Sequence, residues 1–204
     1  MIGIIDFGMG NIKSVANAVY EQGYDPILLN TPEKFEEATH LILPGVGHYK
    51  KAMSSLEESG LLAKIYEDVR VNKKPLLGIC LGSQLLLDSS EEGDVKGLGL
   101  VPGEVRAFDS NQIRVPHVGW NEITDISTHP VLEGISQASD FYFVHSYYCQ
   151  TVAPESTLAT TRYDHNFASI VGQANVIGTQ FHPEKSQAKG LLLLENFCEW
   201  DGKC

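Results

Sequence analysis

The sequence predicts an α/β fold: an open, mixed, mostly parallel sheet with helices on both faces. Three observations lead there. Short β-rich apolar runs alternate with helically spaced apolar residues through roughly the first 85 positions, and that alternation builds parallel sheets. Beyond about Gly97 the texture becomes short β-like runs broken by Gly, Pro and Asn, which adds mixed or antiparallel strands. A leucine-bearing helical stretch at residues 187–200 closes the chain and packs back onto the sheet.

Residues 2–6 read as a buried strand, followed by the turn Asp6-Phe7-Gly8-Met9-Gly10. Ile12, Val15, Ala16, Val19 and Tyr20 then recur at helical spacing, and Gly23 stops the helix. Residues 27–29 form the second strand. Thr31-Pro32-Glu33 has the form of an N-cap, a first-turn proline and a first-turn acid. Residues 41–43 form a third strand, ended by Pro44-Gly45-Val46-Gly47, and helical patterns occupy residues 49–58 and 61–72. Residues 76–79 are a fourth strand, and residues 83–87 open another helix. The later β-like runs are residues 104–108, 112–115, 141–145, 157–162, 169–171 and 176–180. No repeat, low-complexity tract or linker interrupts them, so residues 1–204 are expected to form a single domain.

Composition narrows the function classes. Fifteen Lys and Arg against 26 Asp and Glu give a net charge of −11, without a basic block, so neither nucleic acid nor an anionic membrane is an expected partner. The longest strictly apolar runs, at 141–144 and 191–194, are far too short to span a bilayer. Asp6 falls where a signal peptide would be apolar, and no basic leader precedes it. Cys80, Cys149, Cys198 and Cys204 form no CxxC pair, which fits a reducing cytoplasm, with the last three read as packing or terminal residues. The other histidines lack metal-ligand spacing, and no metal or cofactor is expected. Glu57-Glu58 and Glu91-Glu92 read as solvated faces.

Chemistry concentrates in three segments. Leu76-Leu77-Gly78-Ile79-Cys80-Leu81-Gly82-Ser83-Gln84 runs a buried strand into Gly-x-Cys-x-Gly and straight into a helix. This is a nucleophile elbow with sulfur in place of oxygen, and a helix N-terminus favours the thiolate of Cys80. The Leu81 N–H is placed to donate to an oxyanion. The same residues also describe a buried cysteine in a βα unit whose glycines allow close packing. In Val176-Ile177-Gly178-Thr179-Gln180-Phe181-His182-Pro183-Glu184, an extended strand ends at His182. Glu184 follows on the same side and can orient the imidazole. Alone, such a His-Pro-Glu is most often a surface feature; beside a cysteine elbow it supplies base and orienter. Pro44-Gly45-Val46-Gly47 ends a strand where parallel sheets put their sites, as a second N–H donor near Gly47 or as a plain βα turn. Gly8-Met9-Gly10 is no dinucleotide fingerprint, because Lys13 holds the third glycine position.

Together these segments resemble the class I, triad-type glutamine amidotransferases over nearly the whole chain, which implies a flavodoxin-like sheet. The resemblance implies Cys80 as nucleophile on the glutamine side-chain amide, His182 as base and acid, and Glu184 as its partner. It implies an oxyanion hole at Gly47 and Leu81 beside Gly45, with Gln84 and the Ser146-Tyr147 backbone near the substrate L-glutamine. Within the family, Ile5-Asp6-Phe7-Gly8-Met9-Gly10-Asn11, His117-Val118-Gly119-Trp120-Asn121, Phe143-Val144-His145-Ser146-Tyr147 and Gln180-Phe181-His182-Pro183-Glu184-Lys185-Ser186 are similar to glutaminase subunits of imidazole glycerol phosphate synthases.

That similarity implies a heterodimer with a (β/α)8-barrel cyclase subunit that receives ammonia, in histidine biosynthesis. It implies interface or gating roles for Asn11, Trp120, Asn121, Tyr142 and Lys185. Read without the resemblance, Tyr142 is a core aromatic and Lys185 a solvated charge. Two departures from the pattern are Ser83, expected beside the substrate, and His48-Tyr49. A glutaminase of another pathway (pyridoxal phosphate, anthranilate or nucleotide synthesis) and a stand-alone cysteine hydrolase remain open at this point.

Overall fold

The computed structural model describes residues 1–203; Cys204 lies outside the described residues. The first half runs β1 (Ile2–Ile5), α1 (Ile12–Glu21), β2 (Pro26–Leu29), β3 (His40–Gly45), α2 (Tyr49–Glu58), α3 (Leu61–Tyr66), β4 (Leu76–Cys80) and α4 (Leu81–Leu85). The second adds β5 (Ser89–Ser90), β6 (Val95–Lys96), β7 (Gly103–Ala107), β8 (His117–Ile123) and β9 (Ser139–His145). It ends with β10 (Tyr147–Thr151), β11 (Thr157–Arg162), β12 (Asn166–Gln173), β13 (Val176–Thr179) and α5 (Gln187–Glu199).

Eleven strands share one sheet in the order β2-β1-β3-β4-β13-β12-β10-β7-β5-β6, with β11 on β12. From β2 to β13 the pairing is parallel throughout. From β13 outward it turns antiparallel, except between β5 and β7. β8 and β9 form a separate antiparallel pair.

The parallel strands are apolar at nearly every position because helices cover both faces. Successive side chains alternate between two cores. Ile42 joins Val15 and Val19 of α1 and Leu193 and Leu194 of α5. Its neighbours Leu41 and Leu43 join Met53 and Leu56 of α2 and Ile65 of α3. At about 1.5–3 kcal/mol for each large apolar side chain buried, these two layers hold β4 rigidly in the middle of the sheet. Among the described residues no helix is long and apolar enough to cross a membrane.

Several expected elements take another form. Residues 112–115 are not a strand. Asp109 accepts from the Asn111 N–H at 2.9 Å and from Gln112 Nε2 at 2.8 Å, and these local bonds close a turn instead. After Thr31 the chain forms a 3-10 helix, Pro32–Glu37, and Thr31 makes no side-chain cap. The helix from Leu61 passes into a π-turn at Glu67–Val71, with Asn72 N–H bonded to the Glu67 carbonyl at 3.1 Å. The helix after β4 begins at Leu81, not Ser83, so no loop separates it from Cys80. β8 escapes the sequence reading because its pattern is inverted: polar His117 and Asn121 face inward while Val118 and Trp120 face out.

Candidate active site

Three parallel strand ends converge beside Cys80, as expected at the carboxyl edge of such a sheet. β4 ends at Cys80, β3 ends at Gly45 directly paired with it, and β13 ends one register step before Gln180. Cys80 holds φ +54° and ψ −110°, an unfavourable conformation for a residue with a side chain. The turn is held because α4 sits directly against β3. A Cβ on Gly82 would meet the Leu43 carbonyl oxygen at 1.8 Å, so only glycine permits that approach. Leu81 is the first residue of α4, and its N–H has no partner within the helix.

The second group is set by a tight turn. His182 N–H donates to the Tyr142 carbonyl at 2.9 Å, and Ser186 Oγ donates to the His182 carbonyl at 2.6 Å while accepting from Tyr142 N–H at 3.0 Å. Phe181 stacks on Phe141 at 4.0 Å and meets Phe143 edge-on at 5.6 Å, which anchors the segment to β9. His182 Nδ1 lies 2.8 Å from Glu184 Oε1, with both side chains almost wholly buried. A carboxylate only accepts, so Nδ1 carries a proton, while Nε2 is buried without a hydrogen-bond partner. Burial pulls the His182 pKa down, but Cys80 and Glu184 outweigh it and push it up to about 9. Such an imidazole readily holds a proton taken from sulfur. Cys80 Sγ itself reaches the Val144 carbonyl at 3.8 Å and Gln180 Nε2 at 3.9 Å.

A cavity of about 350 Å³ opens over the sulfur. Of the residues expected there, Gly47, Leu81, Gln84, Ser146, Tyr147 and His182 line it. Gly47, with φ +106°, holds a backbone shape that glycine adopts freely. Gly45 lies one layer below, against Gly82 and Leu81. Gln84 Nε2 donates to the Tyr147 carbonyl at 2.9 Å and to Gln180 Oε1 at 3.0 Å. The Ser146 carbonyl accepts from Phe108 N–H at 3.2 Å, so both carbonyls of the Ser146-Tyr147 pair are already engaged within the chain.

A family model described as Glutamine amidotransferase class-I matches residues 3–199. The chain belongs to that family. Imidazole glycerol phosphate synthase subunit HisH 2 of Methanococcus maripaludis is 46% identical over 198 residues, covering 97% of this chain and 98% of that protein. Imidazole glycerol phosphate synthase subunit HisH of Chromobacterium violaceum is 42% identical over 210 residues, with 98% of each covered. Among solved structures, a "Crystal structure of glutamine amidotransferase" superposes with a TM-score of 0.77 at 20% identity over 97% of both chains. At that identity the superposition speaks for the mixed, flavodoxin-like amidotransferase fold alone.

In this class I amidotransferase, the residues expected at an interface divide. Trp120 is 48% exposed, pairs with Tyr142 across β8 and β9 and lies edge-on to it at 6.1 Å. Lys185 Nζ stands 6.0 Å over the Tyr142 ring, so these three form one outer patch beside the His182 turn. Asn121 faces the other way, bonded to His117 and to the Arg162 carbonyl at 3.1 Å. Asn11 caps α1 without a side-chain cap bond.

Two expectations are corrected. Ser83 does not line the cavity; it is buried against Cys149 at 4.0 Å and under Gly178, because it leaves α4 on the sheet side. Glu92 is no solvated charge. It lines the cavity and accepts from the Tyr49 N–H at 2.7 Å, at the positive end of α2. His48 caps that helix through Nδ1. Glu92 carried no local signal, since its place depends on the short β5–β6 connection. Gln180 and Ser186 stood inside a recognised motif without an assigned task.

Proposed function

We propose that this chain is the glutaminase subunit of an imidazole glycerol phosphate synthase. It hydrolyses L-glutamine and passes ammonia to a separate cyclase subunit in histidine biosynthesis. The full-length similarity to HisH subunits supports the pathway. One observation carries the chemistry: a strained cysteine at a helix N-terminus shares a cavity with a histidine whose Nδ1 is held by a buried carboxylate. The site is suited to releasing ammonia, and the relatives are named as subunits of the synthase, which supports giving the cyclase half to a partner.

In this reading His182 Nε2 removes the Cys80 proton, and the thiolate attacks the side-chain amide carbon of glutamine. The oxyanion is met by the Leu81 N–H and by the Gly47 backbone beside it. His182 returns the proton to the departing nitrogen, ammonia leaves, and a γ-glutamyl thioester remains on Cys80. Water activated by His182 then releases glutamate. Glu184 keeps Nδ1 protonated throughout. Glu92 offers a carboxylate to the substrate ammonium, and Gln84, Ser146 and Tyr147 shape the wall beside it.

The partner is a (β/α)8-barrel cyclase forming a heterodimer in the cytoplasm, docked over the patch of Trp120, Tyr142 and Lys185. The deciding experiment measures glutamate release by wild type and Cys80→Ala, with and without the cyclase subunit and its ribotide. Wild type is expected to be slow alone and fast in the complex, and Cys80→Ala inactive in both. Glutamate release by Cys80→Ala near the wild-type rate rules the reading out.

A further inference from the structure

The Tyr147 carbonyl dictates the polarity of the amides and imidazoles around the cavity. It can only accept, and two groups reach it: Gln84 Nε2 at 2.9 Å and His145 Nδ1 at 2.7 Å. Gln84 must therefore turn its NH2 group to Tyr147. The same nitrogen lies 3.0 Å from the amide of Gln180, which must answer with its oxygen. Gln180 then has only its NH2 group left, and that group faces Cys80 Sγ at 3.9 Å.

The far side of the carbonyl obeys the same logic. His145 spends its Nδ1–H on Tyr147, so its Nε2 accepts, and His117 Nδ1 must donate to it at 2.9 Å. His117 Nε2 then accepts from Asn121 Nδ2 at 3.2 Å, and that amide also donates to the Arg162 carbonyl. Gln180 is 1% exposed and Gln84 4% exposed, so water cannot scramble the arrangement.

We propose that Gln180 is a further catalytic residue: its NH2 group, oriented by Gln84 through the Tyr147 carbonyl, donates to the Cys80 sulfur and stabilises the thiolate. His145 and His117 are positioning residues: His145 fills the second lone pair of that carbonyl, and His117 holds His145 in the tautomer that does so. The inference rests on Cys80 being the glutaminase nucleophile. The proton balance is simple. The S–H proton goes to His182 Nε2, the electron pair stays on sulfur, and Gln180 gives up no proton. A donor to a charged acceptor is worth more than one to its neutral form, so the bond favours the thiolate over the thiol.

The test follows alkylation of Cys80 by iodoacetamide against pH in the full chain, read peptide by peptide by mass spectrometry. Around the sulfur, His182 with Glu184, neutral His145, Glu92 and Cys149 stay the same in wild type, Gln180→Leu and Gln180→Glu. The pH of half-maximal alkylation is expected to rise by about one unit in Gln180→Leu. It rises further in Gln180→Glu, where an acceptor replaces the donor. Partner-stimulated kcat falls on the order of tenfold in each, with KM for glutamine nearly constant.

An unmoved half-point in folded Gln180→Glu overturns the proposal, and the near-identical shape of that variant covers the case in which Gln180→Leu fails to fold. Nitrogen-15 spectra of wild type provide a second check. His145 and His117 should both carry the proton on Nδ1, and a proton on His145 Nε2 overturns the proposed polarity. Full glutamate release by Cys80→Ala removes the glutaminase reading and this inference together. Strict dependence on Cys80 with an unmoved half-point removes only the role of Gln180.

Discussion

His182 and Glu184 are two residues apart in sequence and 2.8 Å apart in space, both buried, with a proline between them holding the short turn that brings carboxylate to imidazole. The second carboxylate oxygen, Oε2, has no hydrogen-bond partner, so the charge of Glu184 is committed to His182. Removing that charge should be costly. Glu184→Gln is expected to lower partner-stimulated kcat on the order of 100-fold or more. The amide lacks the negative charge that favours the imidazolium and can present its NH2 group to Nδ1, which no longer has to carry the proton. Steady-state glutamate release checks this; a variant within threefold of wild type would sink it.

The same pair makes a pH statement about stability. The folded His182 pKa, about 9, lies above the ordinary 6.5. Its contribution is therefore complete below pH 6.5 and is lost as pH rises through 9. Wild-type Tm should fall across that window, and Glu184→Gln, lacking the partner, should show a flatter profile. Thermal melts in matched buffers decide the point.

His117 and His145 act in the opposite sense. Burial lowers His117 to about 4. Burial also lowers His145 to about 3, with His117 and His182 adding repulsion against the Tyr147 bond. The folded state resists protonating them, so their contribution is present above pH 6.5 and is lost as pH falls toward 4 and then 3. Acid unfolding of wild type should be steeper than that of a His117→Asn, His145→Asn double variant, even though the double variant starts less stable. Parallel slopes would refute this.

Gly82→Ala tests the elbow. The new methyl would sit 1.8 Å from the Leu43 carbonyl oxygen, and neither backbone segment can retreat without breaking β3–β4 pairing. Overpacking of this kind costs about 3 kcal/mol, which lowers Tm by roughly 6–12 °C for a chain of this size. Differential scanning calorimetry measures it, and a change of a degree or two would contradict it.

The outer patch carries the prediction for assembly. Trp120 is a large exposed aromatic with Tyr142 and Lys185 beside it. Trp120→Ala is expected to weaken binding of the cyclase subunit on the order of 30-fold, about 2 kcal/mol. Titration calorimetry reads this directly, and unchanged affinity moves the docking face elsewhere.

The parallel half of the fold was legible because its signals are local. Apolar runs such as Leu76-Leu77 and the helical spacing of Ile12, Val15 and Val19 need no distant partner to be read. Cys80, His182 and Glu184 were legible for a related reason: the elbow glycines and the His-Pro-Glu turn are backbone constraints written in consecutive residues. β8 was hidden, because its inward residues before Ile123 are His117, Gly119 and Asn121, and distant partners of His117 such as Phe143, His145 and Tyr163 make that face an interior. Glu92 and Ser83 were misread for the same cause, one drawn into the cavity and the other turned away from it by packing.

From the sequence alone came the fold class, the sharp turn at Cys80 and the pairing of His182 with Glu184, since each depends on residues within a few positions of one another. Tertiary structure alone decided which amide faces the sulfur. Gln84, Tyr147 and Gln180 are separated by tens of residues, and the direction of their hydrogen bonds follows from one carbonyl that can only accept.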